Sequence, residues 1–176
     1  MQLKKINLVA PSIYQEQLCQ LFSKQSAVDQ QDYYSKKGEG KIDKLELWSY
    51  NGKMAEYAVF NTLIQFPEYK TIVPPDIMLY KKDRKSHDAD IKADDKNIHV
   101  KSCMVVDDRL SSWLFSTEDK LVSQPKENDI IAFVSITLPK TFQAYFIQAT
   151  RITGMYKEPY AKKTVAHAIY EEDLIG

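Results

Sequence analysis

Residues 87–103 read HDADIKADDKNIHVKSC, and their reading decides the fold. Acidic, basic and imidazole side chains alternate with apolar ones on both sides of the polar pair Asp94-Asp95. Period-two alternation marks half-buried strands, and a polar pair between two such runs marks a hairpin. Side chains two apart in a strand share a face, so His99 and Lys101 point one way while Ile98 and Val100 point the other. With a two-residue turn, Asp90 lies opposite His99 and Asp88 opposite Lys101, and all four converge on one side. Directly opposed residues hold their Cβ atoms ~4.5–5.5 Å apart, near enough to share one cation. A bulged three-residue turn would shift that register. A solvated hairpin with one charged face also accounts for the alternation, so the neighbouring segments have to decide.

Downstream, DIIAFVSI (129–136) is an apolar run that suits a central strand, and FQAYFIQAT (142–150) suits a partner joined by a turn at Leu138-Pro139. Between them and the hairpin, the segment from Ser116 to Val122 predicts a short capped helix. Trp113 and Phe115 read as core residues. Upstream, LELWSYNGKMAEYAVFNTLIQF (45–66) has helical periodicity, with a helix expected to begin after Asn51-Gly52 and to carry Glu56 in its first turns. IMLY (77–80) reads as a short strand, and Pro75-Asp76 before it as a turn. Ser12 caps an expected helix to about Phe22. The polar segment after it, with Lys24, Lys36, Lys37, Tyr33 and Tyr34, reads as a loop or arm. Residues 3–9 and the tail after residue 160 each suggest a small strand. The expected architecture is one α/β domain over 1–176. Its core spans about 50–150, with an N-terminal helix and arm over 1–45 and an extension over 151–176.

Bulk composition agrees with that size. The 176 residues are 44% hydrophobic and 27% charged, as in ordinary globular domains. Lysine plus arginine and aspartate plus glutamate number 24 each, a balance that argues against non-specific coating of nucleic acid by global charge. Cys19 and Cys103 form no CxxC pair, so a disulfide framework or zinc ribbon is not indicated and a reducing cytoplasm is expected. No apolar run approaches the ~20 residues of a membrane span.

Asp90-Ile91, a nine-residue step, and Ile98-His99-Val100-Lys101-Ser102 resemble the core motif of the PD-(D/E)xK, or restriction-endonuclease-like, nuclease superfamily. That motif is an aspartate opening one strand, followed by acid–x–lysine on the next. Gly52-Lys-Met-Ala-Glu56 resembles the start of the family's first core helix, whose glutamate commonly joins the site, and 129–134 suits the next core strand. The resemblance implies a mixed central sheet flanked by helices. It also implies a metal-dependent DNA endonuclease with catalytic Asp90, His99, Lys101 and Glu56, using Mg2+ or Mn2+ held by Asp90, Glu56, His99 and Asp88. His99 stands where the family has glutamate or aspartate, and imidazole suits transition metals better than magnesium. The alternative is a weakened nuclease-fold protein that binds nucleic acid or a protein partner without cleavage. A third reading is an interaction protein whose charged hairpin is only a surface. Lys81, Lys82, Arg84, Lys85 and Arg109 are the expected phosphate contacts on DNA, and symmetric cutting of both strands implies a homodimer.

Overall fold

The computed structural model describes residues 3–35, 41–78, 89–105, 111–116, 118–159 and 166–175. Strand β1 (Ile6–Asn7) is followed by helices α1 (Ile13–Ser35) and α2 (Ile42–Leu63). Next come β2 (Ile72–Val73), β3 (Ile91–Ala93), β4 (Lys96–Met104) and β5 (Ser112–Ser116). The chain ends with α3 (Lys120–Ser123), β6 (Asp129–Thr137), β7 (Thr141–Gln148), β8 (Ala166–Tyr170) and α4 (Glu171–Ile175). Six strands form one mixed sheet in the order β1-β7-β6-β4-β3-β2, and β5 pairs with β8 in a second, two-stranded sheet. The expected α/β class with a mixed sheet is therefore observed. No helix among the described residues is long and apolar enough to cross a membrane.

The sheet is two hairpins joined by a parallel seam. β3 and β4 pair antiparallel with Ile91 opposite Ile98 and Ala93 opposite Lys96. This leaves Asp94-Asp95 as the two-residue turn. Asp94 adopts the left-handed backbone (φ 51°) that such a turn requires, and its carboxylate accepts from the N–H of Thr71 at 2.8 Å. β6 and β7 form the second hairpin. β4 and β6 run parallel, from Asn97 opposite Asp129 to Met104 opposite Ile136. A parallel connection needs a long crossover, and residues 105–128 supply it, carrying β5 and α3.

Alternation along these strands fills two cores. One face of the sheet sends Ile91, Ala93, Ile98, Ala132 and Val134 against Met54, Tyr57, Ala58 and Val59 of α2. The other sends Ile131, Phe133, Tyr145 and Ile147 against Trp113 and Phe115 of β5 and Ile169 of β8. The indole N–H of Trp113 donates to the carbonyl of Val134 at 3.1 Å, so this large side chain is buried with its polar atom satisfied.

Several expected boundaries need correction. Ser12 does start a helix: its hydroxyl accepts from the N–H of Gln15, and the Gln15 side chain accepts in return from the N–H of Ser12, a capping box. That helix runs on to Ser35 rather than ending near Phe22, so residues 23–35 are not a loop. α2 begins at Ile42 and passes through Asn51-Gly52 instead of starting after them. Residues 77–78 are not in a strand, and the short strand lies earlier, at Ile72–Val73. The cap of α3 is Asp119, whose carboxylate accepts from the N–H of Leu121. Ser116 is instead the last residue of β5.

Candidate active site

The hairpin places Asp90 by a backbone argument. β3 begins at Ile91 whereas β4 continues beyond its reach, so the N–H of Val100 has no main-chain acceptor on that side. The Asp90 carboxylate takes the role and accepts from Val100 at 2.7 Å. A backbone N–H at an inner position must be paired, so Asp90 is fixed whether or not it binds anything else.

Glu56 comes to Asp90 from α2. Burial pushes its carboxyl up to about 8, the negative charge of Asp90 adds to the rise, and Lys53 opposes it. One turn earlier on the helix, Lys53 donates to the Glu56 carboxylate at 2.6 Å and to the carbonyl of Asp76 at 2.8 Å. Its ammonium also lies 4.8 Å from the centre of the Phe22 ring. The two side chains are only 11% and 13% exposed, so water does little to screen them. Asp76 makes a turn, as expected, with its carboxylate accepting from the N–H of Met78.

His99 and Lys101 do not join Glu56. Both alternate with Ile98 and Val100, which pack in the α2 core, and so project from the opposite face of β4. Lys101 donates to the Asp119 carboxylate at 2.8 Å and lies 4.9 Å from the centre of the Phe115 ring. The His99 Nε2 is buried without a hydrogen-bond partner, 3.5 Å from a carboxylate oxygen of Asp129, too far for a well-formed bond. Burial works against ionisation of Asp129, yet hydrogen bonds from Asn97 and from the N–H of Lys126, with His99 close by, hold its carboxyl below the usual range. Of these four expected members of the site, Asp90 bears electrostatically on Glu56, whereas Lys101 is paired with Asp119 and His99 lies beside Asp129. Asp88, Lys81, Lys82, Arg84, Lys85 and Arg109 lie outside the described residues.

Among the described residues, no three His, Cys, Asp or Glu side chains gather as a metal-ligand set. The Glu56–Asp90 pair still fits a hard cation. Magnesium keeps several waters and takes one or two carboxylates together with substrate phosphates. Three residues that matter here went unread in the sequence: Lys53, Asp119 and Asp129. The i,i+3 spacing of Lys53 and Glu56 was a usable signal, as was a lone acid at the head of the apolar run 129–136. Asp119 gave none, because its partner is 18 residues away.

Compared with known proteins, the chain matches no family model, no curated protein and no solved structure at a significant level.

Proposed function

We propose that the protein is a divalent-metal-dependent deoxyribonuclease with a restriction-endonuclease-like core, hydrolysing phosphodiester bonds at the Glu56–Asp90 pair with Mg2+ or Mn2+. The observation that carries this reading is electrostatic. A buried glutamate on α2 is pressed towards its neutral form partly by Asp90, at the mouth of the hairpin whose motif resembles that of the nucleases. A site that raises the proton affinity of one acid by the charge of another is one that a cation relieves. The order of parts supports it as well: helix with glutamate, strand opened by aspartate, strand with His99-x-Lys101, then the strand at 129–137.

In this reading Asp90 is the central ligand, held in place by the N–H of Val100. Glu56 is the second ligand and gives up its proton as the ion enters. A bound divalent cation acidifies a water and offsets charge gathering on the phosphate. The basic run at 81–85, with Arg109, contacts the DNA backbone, and the enzyme works as a homodimer in the cytoplasm.

The test is cleavage of supercoiled plasmid with magnesium or manganese. Nicking is expected, and Asp90→Asn, which keeps an acceptor for Val100, is expected to lower it about 10²–10³-fold, the worth of one preorganised electrostatic group. Cleavage that persists in Asp90→Asn removes the assignment. A second reading, a nuclease-fold protein that binds nucleic acid or a partner without cutting, is favoured by one observation: Lys101, the expected catalytic lysine, is committed to Asp119. DNA binding that is equal with and without chelator, and without nicking, is its signature.

A further inference from the structure

We propose that the outer face of α1 is a self-association surface, on which two copies of the chain pair their α1 helices side by side and in parallel. The inference deepens the proposed function: it rests on the reading of the protein as a homodimer and gives that homodimer an interface. Helix α1 is built inside out. Its buried positions Cys19, Ser23, Ser26 and Ala27 are small or polar, whereas Tyr14, Leu21 and Val28 are 66%, 68% and 57% exposed. Single apolar side chains on a surface need no explanation, but three at a strict spacing of seven form one line along a helix. Written as a heptad with these three at d, Leu18 and Gln25 fall at a, and the four buried residues fall at b, c and f. Those positions lie on the side that meets α2, where Ser26 touches Ser49. The outer line is therefore a coiled-coil seam that α2 does not fill.

Charge selects the occupant. In a parallel pair, a residue at g faces the e residue five positions further along its partner. Lys24 stands at g and Asp29 at e, both exposed, so two-fold pairing sets Lys24 of each copy beside Asp29 of the other. An antiparallel pair brings g to g, and Lys24 then meets only its own copy or a glutamine, Gln17 or Gln31. Gln25 is polar at the middle a position, and a lone polar residue there fixes register. Its amide donates to the Asp29 carboxylate at 3.1 Å and so steadies the acid on the flank of the seam. Asp32, charged at the next a position, ends the seam, so the contact runs from Tyr14 to Asp29, about four turns. One helix seam of that length falls below the ~800 Å² per partner of a standard interface, and the dimer is weak, on the order of tens of micromolar.

The experiment is sedimentation equilibrium of the full chain from about 5 to about 500 μM, a range that brackets so small an interface. The mean mass is expected to rise with concentration from 20.4 kDa towards twice that. Leu21→Glu sets two carboxylates against each other in the seam and is expected to hold the mass at the monomer value, with an unchanged circular-dichroism spectrum because the position is exposed. Lys24→Glu and Asp29→Lys are each expected to weaken association about three- to tenfold, as two surface ion pairs are turned to repulsion. The double exchange Lys24→Glu/Asp29→Lys is expected to restore it. A parent chain that stays monomeric throughout, association indifferent to Leu21→Glu, or a double exchange no better than the single changes overturns the proposal. Plasmid nicking by a chain that stays monomeric removes this inference and leaves metal-dependent cleavage standing. Association as described without nicking does the reverse.

Discussion

Glu56 and Lys101 are both charged side chains at the hairpin, in opposite circumstances. Beside α2, burial and the negative charge of Asp90 drive the Glu56 carboxyl up to about 8 against the pull of Lys53. On the other side, Lys101 has Asp119 and an aromatic face, and Asp129 has Asn97 and a main-chain N–H. Glu56 is held where its charge is disfavoured, whereas Lys101 and Asp129 have partners that favour theirs. Residues adjacent in sequence thus enter different chemical environments, because a strand is a partition as well as a support. A linear motif such as Asp90…His99-x-Lys101 does not say which partners its members meet.

The largest effect is expected on the side of β4 that carries Lys101. Trp113→Ala removes a fully buried indole from the core beneath Lys101 and is expected to cost about 3–5 kcal/mol in urea denaturation. A cost under 1 kcal/mol would mean that this face is not an independent core. Next comes the pH dependence that Glu56 confers, measured with chelator present. The Glu56 carboxyl is raised in the folded chain from 4.5 to about 8, so the fold favours its neutral form. No penalty exists below about 4.5, and stability is lost as pH rises through about 8, with a slope of at most roughly 1.4 kcal/mol per pH unit from this group. Glu56→Gln is expected to flatten that part of the melting-temperature profile. An identical profile in the variant would show that Asp90 and burial do not act on Glu56 as described.

Asp119→Ala sharpens the contrast at smaller cost. It removes the partner of Lys101 and the cap of α3 together, and about 1–2 kcal/mol is expected, mostly from the lost cap. If Lys101→Met in the Asp119→Ala background still costs as much as in the parent, the ion pair contributes nothing. The smallest change is Gly52→Ala. A Cβ at Gly52 meets nothing within 4 Å, so the helix through it is expected to gain about 0.5–1 kcal/mol. A loss there would mean that α2 is interrupted at Gly52, as the sequence first suggested.

Legibility followed the size of the periodic side chains. The hairpin at 91–104 and the pair at 129–148 were readable because β-branched and aromatic residues alternate in them or run together. The continuation of α1 was not, since its inward positions Cys19, Ser23, Ser26 and Ala27 are small or polar. They let α2 approach closely, with the Ser26 and Ser49 hydroxyls 3.3 Å apart, but they leave no hydrophobic stripe to detect. Asn51-Gly52 looks like a start signal, yet packing on both sides outweighs the ~1 kcal/mol that a glycine costs a helix. β5 was missed because its partner β8 lies 50–58 residues downstream. The acid pair was half legible: the spacing gave Asp90 its place opposite His99, and the helix brought Glu56 near it. The side taken by Lys101 followed from its alternation with Val100, but its partner Asp119 did not, because it comes from the crossover.

The parallel seam has a consequence for how fast the molecule assembles. Each hairpin closes locally, on the order of 1–10 μs for such units, whereas Asn97 and Asp129 must meet across 32 residues. Long-range strand pairing of that kind is the slow event in chain collapse. β4 therefore carries the motif and the kinetic bottleneck on the same nine residues, and substitutions along it will alter refolding rates and soluble yield along with any chemistry.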